Sequence, residues 1–216
     1  MFKHKVIFWD VDTQYDFIQE EGRLYMPGAK TIIEKISMAR NFALENGFSI
    51  IASTDWHNPS DQEISAEPNY IETYPQHCIA NTTGSQRIGF LGDLPIKYIS
   101  VEPIKHIQLK ELVNTKQFHI VIRKNKIDVF TNPNTRPLLD IICPEKIIIF
   151  GVALDLCVSY TVDDLLKLSK AQIIVLADIV KGLGKKPDDI VLKEFQQKGV
   201  TITTLAGLHE VLDVAT

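Results

Sequence analysis

Residues 146–161 read Lys-Ile-Ile-Ile-Phe-Gly-Val-Ala-Leu-Asp-Leu-Cys-Val-Ser-Tyr-Thr and combine a strand, a tight bend and the start of a helix. The apolar run Ile147–Phe150 predicts a buried strand, and residues 157–168 predict a helix. A thiol at a helix start lies near unpaired backbone N–H groups and the positive end of the helix dipole. We therefore expect a lowered pKa for Cys157, which favours the reactive thiolate. A buried, inert cysteine is the alternative.

Short apolar runs alternate with amphipathic stretches along the whole chain. Besides Ile147–Phe150, the predicted strands are Val6–Trp9, Phe48–Ala52, Phe118–Ile122, Ile173–Leu176 and Val200–Thr203. The other predicted helices are Gly28–Glu45, Asn134–Ile142 and Pro187–Lys198. Repeated strand-then-helix units predict an α/β fold. We expect a doubly wound, mostly parallel six-stranded sheet with helices on both faces, in a single domain over residues 1–216.

Two segments interrupt this rhythm. Residues 58–89 form a long stretch with little periodicity, which is typical of a functional or disordered loop. Residues 92–116 predict an excursion or an extra hairpin, in which Lys97–Val101 resembles a strand.

Composition excludes several classes of protein. The chain has 216 residues, is 45% hydrophobic and 23% charged, and carries a net charge of −4, so we expect neither nucleic acid nor a membrane as partner. The longest uncharged apolar run, Ile147–Leu154, is too short to span a bilayer, and the N-terminus does not resemble a signal peptide. Three widely spaced cysteines argue against a disulfide framework and predict a cytoplasmic location.

Polar residues follow the predicted strands, and ligands in α/β proteins bind at these carboxyl ends of the strands. Asp10, Asp12 and Asp16 follow the first strand, and an extended segment would place such acids on one face. A carboxylate beside a thiol can act as a general base and then as a general acid. A polar loop with a helix cap is the alternative.

A second group of side chains could bind a metal. Asp55, His57, Glu63 and His77 offer two carboxylates and two imidazoles, which suit zinc, iron or manganese, although a solvated loop also explains them. Lys124 ends another strand and could lower a thiol pKa or pair with a carboxylate. A surface lysine is the ordinary alternative, and Arg123 and Lys126 compete for the role.

Five ordered motifs together resemble the nicotinamidase/pyrazinamidase branch of the isochorismatase-like cysteine hydrolases. They are Asp12-Thr-Gln14-Tyr-Asp16-Phe17, then Asp55-Trp-His57 with Glu63 and Tyr74-Pro-Gln-His77-Cys78, then Lys124 with Phe130, then Gly151-Val-Ala153-Leu-Asp155-Leu-Cys157, and last Ala177-Asp178 with Gly182 and Gly199-Val200. The resemblance covers nearly the whole chain.

The resemblance implies a catalytic triad of Asp12, Lys124 and Cys157 and hydrolysis of nicotinamide to nicotinic acid and ammonia through a thioester. It implies an oxyanion hole of the Ala153 and Cys157 N–H groups beside a cis bond after Val152.

It further implies substrate contacts by Phe17, Tyr74, Val152 and Ala153. One divalent transition metal, zinc in preference to iron or manganese, would be held by Asp55, His57, Glu63 and His77 in a loop at about 55–90 and would bind the pyridine nitrogen. The implied partner is a small nicotinamide-like molecule, and a homo-oligomer is compatible with this reading.

The chain departs from the family pattern at several positions, which leaves the metal and the exact substrate open. Glu63 stands where many relatives have histidine, Tyr74 replaces a more usual tryptophan, and Leu154 stands where threonine is common. The alternative within the family is a hydrolase that acts on another small amide or on isochorismate. A more distant alternative is a haloacid-dehalogenase-type phosphatase with magnesium and Asp10 as nucleophile, because residues 10–13 read Asp-Val-Asp-Thr.

Overall fold

The computed structural model describes residues 2–89 and 93–212, and in these residues seven parallel strands form one sheet. The strands are β1 (Val6–Val11), β2 (Ser49–Asp55), β3 (Ile96–Ile99), β4 (His119–Lys124), β5 (Lys146–Val152), β6 (Gln172–Lys181) and β7 (Thr201–Thr203). Their order across the sheet is β3-β4-β2-β1-β5-β6-β7, and every neighbouring pair is parallel. The predicted α/β class with a parallel sheet is confirmed.

The predicted count of six strands was wrong, because the excursion contributes a seventh. Strand β3 lies at the sheet edge and pairs only with β4 among the described residues. Of its four residues only Ile99 is buried. A half-exposed edge strand lacks the continuous apolar run that marks the buried strands of a parallel sheet. The excursion therefore contains an additional strand of the sheet and a helix rather than a hairpin. Its first residue, Gly92, lies outside the described residues.

Helices connect the strands. The α-helices are α1 (Tyr15–Ile18), α2 (Ile33–Glu45), α3 (His106–Val113), α4 (Thr135–Ile142), α5 (Ser159–Leu168), α6 (Asp188–Gln197) and α7 (Leu208–Leu212). Short 3-10 turns occur at Ala29–Ile32, Thr83–Ser85 and Val129–Thr131, and a π-helix spans Leu154–Val158. Four of the α-helices lie where amphipathic spacing predicted them. Within residues 2–89 and 93–212, the structure has no helix long and apolar enough to cross a bilayer.

The sheet buries two apolar layers, one on each face. Along β1, Ile7 and Trp9 belong to one buried cluster and Phe8 to the other; along β5, Ile147 and Ile148 divide in the same way. Side chains of successive strand residues point to opposite faces, so a strand covered on both sides needs apolar residues throughout. This requirement explains why apolar residues predominate in the central strands.

The carboxyl ends of four neighbouring strands lie side by side, and the candidate site lies there. In the order β4, β2, β1 and β5, they lead to Lys124, Asp55, Asp12 and the bend before Cys157. Strands β1 and β5 approach very closely there: Gly151 has φ 122°, and a Cβ at this position would lie 2.0 Å from the carbonyl oxygen of Val11. Only glycine permits this approach.

Candidate active site

Lys124 joins three potentially reactive groups in the interior. Its Nζ lies 3.0 Å from Asp12 Oδ2, donates a hydrogen bond of 3.6 Å to Cys157 Sγ, and contacts Asp55 Oδ1. The side chains of Asp12 and Lys124 are almost fully buried, and Cys157 is 8% exposed. Acceptor atoms of Asp12, Asp55 and Cys157 lie within 4.8 Å of one another. The three residues predicted as a triad therefore meet in space.

The residues that competed with Lys124 lie elsewhere. The Arg123 guanidinium carbon lies 3.7 Å from the ring centroid of Trp56 and 4.8 Å from that of Tyr98. Lys126 lines a neighbouring cavity of about 680 Å³. Among the three, Lys124 is the one that reaches the thiol.

Burial sets the protonation of the thiol. Burial raises the pKa of Cys157 well above its usual value, and the opposing effect of Lys124 is smaller, while Asp12 and Asp55 raise the pKa further. The lowered pKa expected from a helix start was therefore wrong for the protein without metal or substrate, because desolvation of a thiolate outweighs the dipole here. The raised pKa favours the neutral thiol, which would need a base in order to act as a nucleophile.

Asp12 is positioned to be that base. Burial raises its pKa, an effect that Lys124 opposes and Asp55 reinforces. Lys124 itself remains charged: burial lowers its pKa, but Asp12 and Asp55 outweigh burial and raise it well above its usual value. A carboxylate of raised basicity, a fixed cation and a neutral thiol thus share one buried site.

Asp10, Asp12 and Asp16 do not share a face, contrary to expectation, because only Asp10 belongs to strand β1. Asp12 has φ 48°, so the chain leaves the extended conformation there, and Asp16 lies in helix α1. Asp16 Oδ2 accepts a hydrogen bond of 2.7 Å from the N–H of Cys78, the residue after the predicted metal ligand His77. Asp10 contacts the guanidinium groups of Arg40 and Arg87.

The environment of Asp10 contradicts the phosphatase alternative. Asp10 is fully buried, and its pKa falls to about 2 because Arg40 and Arg87 outweigh the effect of burial. Thr13 donates a further hydrogen bond of 2.8 Å to its carboxylate. A nucleophile must reach substrate, and this carboxylate is instead enclosed by its own partners. We therefore assign Asp10 a structural role.

The bend before Cys157 differs from a simple helix start. The bond between Val152 and Ala153 is cis, as the resemblance implies, and Cys157 lies in the π-helix Leu154–Val158 that precedes α5. The carbonyl oxygen of Ala153 accepts hydrogen bonds from the N–H groups of Leu156 and Val158, each 3.0 Å long. This bend brings Ala153 and Cys157, the predicted oxyanion-hole residues, to the wall of one cavity.

The four predicted metal ligands come together beside the triad. One ligand atom each from Asp55, His57, Glu63 and His77 lies within 4.8 Å of the others. His77 Nε2 is 3.5 Å from Asp55 Oδ2 and 3.9 Å from Glu63 Oε1, and His57 Nε2 is 3.8 Å from Asp55 Oδ2. Ligands at tetrahedral zinc with bonds of about 2.1 Å lie about 3.4 Å apart. The cluster is therefore close to the size of such a site.

The hydrogen bonds around this cluster leave imidazole lone pairs available. His77 Nδ1 lies 2.7 Å from the Pro75 carbonyl oxygen, which can only accept, so Nδ1 carries the proton and Nε2 keeps its lone pair. Both buried nitrogens of His57 lack a hydrogen-bond partner among the described residues. His57 Nδ1 lies 3.4 Å from Asp61 Oδ2, and this carboxylate would orient the ring when Nε2 binds a metal. These residues fit a divalent transition metal.

The charges of the cluster also suit a cation. Burial raises the pKa of Glu63 to about 7, with Asp55 adding to the effect. Asp55 has a pKa well below its usual value because Lys124 and the two imidazoles outweigh its burial. Glu63 protonates readily while the cluster holds no metal, and a bound cation would favour its carboxylate form.

A small cavity lies between the thiol and the metal-binding cluster. Its volume is about 20 Å³, and its walls include Phe17, Tyr74 and Ala153 of the four predicted substrate contacts. Val152 is fully buried in the core and does not line it. Sequence reasoning missed four apolar wall residues, which carry no distinguishing signal: Leu24, Met26, Ile127 and Leu156.

Gln14 is a further residue whose role was missed, although it belongs to the first motif. Its side-chain amide donates 2.8 Å to the carbonyl oxygen of Asp55 and accepts 2.7 Å from the Asp55 N–H. This pair of bonds fixes the backbone of the residue whose carboxylate touches both Lys124 and the metal-binding cluster.

Known proteins resemble this chain in sequence and fold. Residues 103–207 match the isochorismatase domain family. The nicotinamidase of Escherichia coli is 26% identical over 93% of this chain and 95% of its own length, and that of Saccharomyces cerevisiae is 27% identical over 83% and 89%. The crystal structure of Pyrococcus horikoshii pyrazinamidase in complex with zinc has a TM-score of 0.73 at 23% identity, and the match covers 93% of this chain and 99% of that one. At that identity the likeness shows a shared fold.

Proposed function

We propose that this chain, which belongs to the isochorismatase-like hydrolase superfamily, is a metal-dependent cysteine amidohydrolase that converts nicotinamide to nicotinic acid and ammonia and also accepts pyrazinamide. The position of Asp55 carries the proposal. One carboxylate oxygen contacts Lys124 of the triad, and the other faces His57 and His77. A reactive thiol and a metal-binding cluster thus share one residue and one cavity.

The first half of the reaction uses Asp12 and Cys157. Asp12 accepts the thiol proton, and the sulfur forms a bond to the amide carbon of the substrate. Lys124 stabilises the negative charge on both partners through its short contacts. The carbonyl oxygen becomes an oxyanion, which the N–H groups of Ala153 and Cys157 stabilise. The carbon–nitrogen bond then breaks, and Asp12 returns its proton to the departing ammonia.

The second half restores the enzyme. Asp12, again a carboxylate, accepts a proton from water, and the water oxygen attacks the thioester carbon. The carbon–sulfur bond breaks, nicotinic acid leaves, and the Cys157 thiol regains its proton. Each half therefore uses the same carboxylate first as a base and then as an acid.

Asp55, His57, Glu63 and His77 would hold the metal. When bound, a divalent transition metal supplies an acceptor for the lone pair of a pyridine nitrogen. Phe17 and Tyr74 would pack on the ring, since both are buried wall residues of the cavity. The chain would thereby orient the ring so that its carboxamide faces Cys157.

Metal content tests the ligand set directly. Protein purified without added metal is expected to contain about one equivalent of a single transition metal by elemental analysis. His57→Ala is expected to lose most of it, because one of four ligands is removed. The matched control is His106→Ala, since His106 is exposed on helix α3. Less than about a tenth of an equivalent in fully active wild-type protein would contradict the proposed site.

Substrate comparison tests the ring assignment. Ammonia release is expected from nicotinamide and pyrazinamide, whereas benzamide, which lacks a ring nitrogen, is expected to react at least about tenfold more slowly because a directed contact is lost. The measurement is kcat/KM for the three amides side by side. Equal rates would mean that the metal-binding cluster does not recognise the ring. The substrate would then be another small amide, and the cysteine chemistry would stand.

A further inference from the structure

Lys185 connects the loop after strand β6 to the wall of the candidate site. It lies in residues 182–187, between β6 and α6, and its Nζ donates a hydrogen bond of 2.6 Å to the hydroxyl of Tyr74. The same Nζ lies 4.9 Å from the centroid of the Tyr74 ring. Tyr74 is 2% exposed and lines the small cavity together with Cys157. The exposed Lys185 thus donates a hydrogen bond to Tyr74, a buried aromatic residue in the wall of the cavity.

The backbone of this loop is fixed by Asp155. Asp155 Oδ1 accepts 2.7 Å from the Leu183 N–H, and Oδ2 accepts 2.7 Å from the Lys185 N–H and 3.1 Å from the Gly184 N–H. Asp155 belongs to the π-helix that carries Cys157, so the loop and the nucleophile are parts of one hydrogen-bonded unit. An exposed lysine contact is usually weak because the side chain must be ordered. Here the backbone at the base of that side chain is already ordered.

The Tyr74 hydroxyl depends on this ammonium group. A buried tyrosine hydroxyl normally finds a hydrogen-bond partner. Its other contacts, to the carbonyl oxygens of Tyr70 and Ile71, are both 3.4 Å long and therefore weak. Lys185 provides the short bond.

We propose that Lys185 is a positioning residue that fixes the ring of Tyr74 as a wall of the substrate pocket. The inference rests on the proposed function, in which Tyr74 packs on the substrate ring. Lys185 acts through Tyr74 and does not take part in bond breaking. A wall that is ordered before binding lowers the entropy lost when substrate binds. Loss of Lys185 therefore weakens binding and leaves the chemical step largely intact.

Three variants test this role. Lys185→Met keeps the length of the side chain but removes the donor, Tyr74→Phe keeps the ring but removes the hydroxyl, and the third variant combines them. Each single change is expected to raise the KM for nicotinamide about threefold to tenfold, with kcat within about twofold of wild type. The double variant is expected to match the single variants, because all three remove the same contact. Lys185→Arg is expected to restore most of the affinity.

The neighbouring lysine is the matched control. Lys186 is exposed and its Nζ pairs with Glu194 at 2.8 Å, so Lys186→Met is expected to leave KM unchanged. An unchanged KM in Lys185→Met, a fall in kcat with no change in KM, or additive effects in the double variant would overturn the proposal. Urea unfolding of wild type, Lys185→Met, Tyr74→Phe and the double variant supplies a second cycle that needs no substrate. If the free energies of unfolding show no coupling between Lys185 and Tyr74, the proposal is also overturned. If the wild type is inactive on nicotinamide and pyrazinamide but the unfolding cycle shows coupling, the proposed function is refuted while the contact between Lys185 and Tyr74 stands.

Discussion

Replacing Cys157 with alanine is expected to abolish ammonia release from nicotinamide while the protein stays folded. Of the three free cysteines, Cys157 is the one whose Sγ lies near both Lys124 and Asp12. No oxygen nucleophile takes its place in the proposed reaction, because the thioester cannot form without sulfur. The measurement is enzyme-coupled detection of ammonia, with residual activity expected to be indistinguishable from that of a protein-free blank.

Stability and a second cysteine control this experiment. The side chain of Cys157 is small, so alanine leaves little empty volume and the thermal midpoint is expected to change by only a few degrees. Cys143→Ala removes an exposed thiol at the end of helix α4 and is expected to keep the full rate. Substantial turnover by Cys157→Ala would remove the basis of the cysteine mechanism.

The buried strands were predictable because the apolar pattern that marks each of them lies within a short stretch of sequence. Five central apolar runs are strands, since a sheet covered on both faces needs mostly apolar residues in its central strands. The sixth predicted run contains β7, at one edge of the sheet, whereas β3, at the other edge, lies in the segment predicted as an excursion, and only its Ile99 is buried. The π-helix at Leu154–Val158 also escaped prediction, since its pattern does not differ from the first turn of an α-helix. The single-domain boundaries, the cytoplasmic location and the oligomeric state remain predictions.

The place of the candidate site followed from topology, but its contacts did not. Asp12, Asp55, Lys124 and the bend before Cys157 end four adjacent strands, so the rule for parallel sheets brings them together. His77 lies 22 residues after Asp55 in a loop without periodicity. Its approach depends on contacts such as the bond from the Cys78 N–H to Asp16, which spacing cannot reveal. For these ligands the ordered motifs of a family resemblance supplied what local patterns lacked.

The direction of the Cys157 pKa shift shows what tertiary structure adds. Sequence position suggested a helix terminus and hence a lowered pKa. Burial reverses the direction, because a thiolate loses more hydration than nearby dipoles restore. The contact between Lys185 and Tyr74 is equally invisible in the sequence, since 111 residues separate them. Both features depend on how distant segments pack.

Removal of Asp12, the proposed base, has the second largest expected effect. Asp12→Asn keeps the shape of the side chain and removes its basicity, so kcat is expected to fall about 10²-fold to 10⁴-fold. Because burial raises the pKa of the thiol, few thiolates form without a base near neutral pH. The residual rate of this variant is expected to increase as pH rises, since solvent hydroxide then supplies the thiolate. The measurement is kcat as a function of pH for both proteins.

Asp10→Asn tests whether Asp10 has a structural role while Asp12 acts as the base. Asp10 contacts Arg40 and Arg87 in the interior, so this change leaves buried cations without their carboxylate and is expected to lower the free energy of unfolding while the folded fraction keeps most of its rate. Asp12→Asn is expected to show the opposite pattern, because Asp55 still pairs with Lys124. An inactive but stable Asp10→Asn beside an active Asp12→Asn would contradict the assignment, since Asp10 would then be the reacting carboxylate and the thiol would have no role.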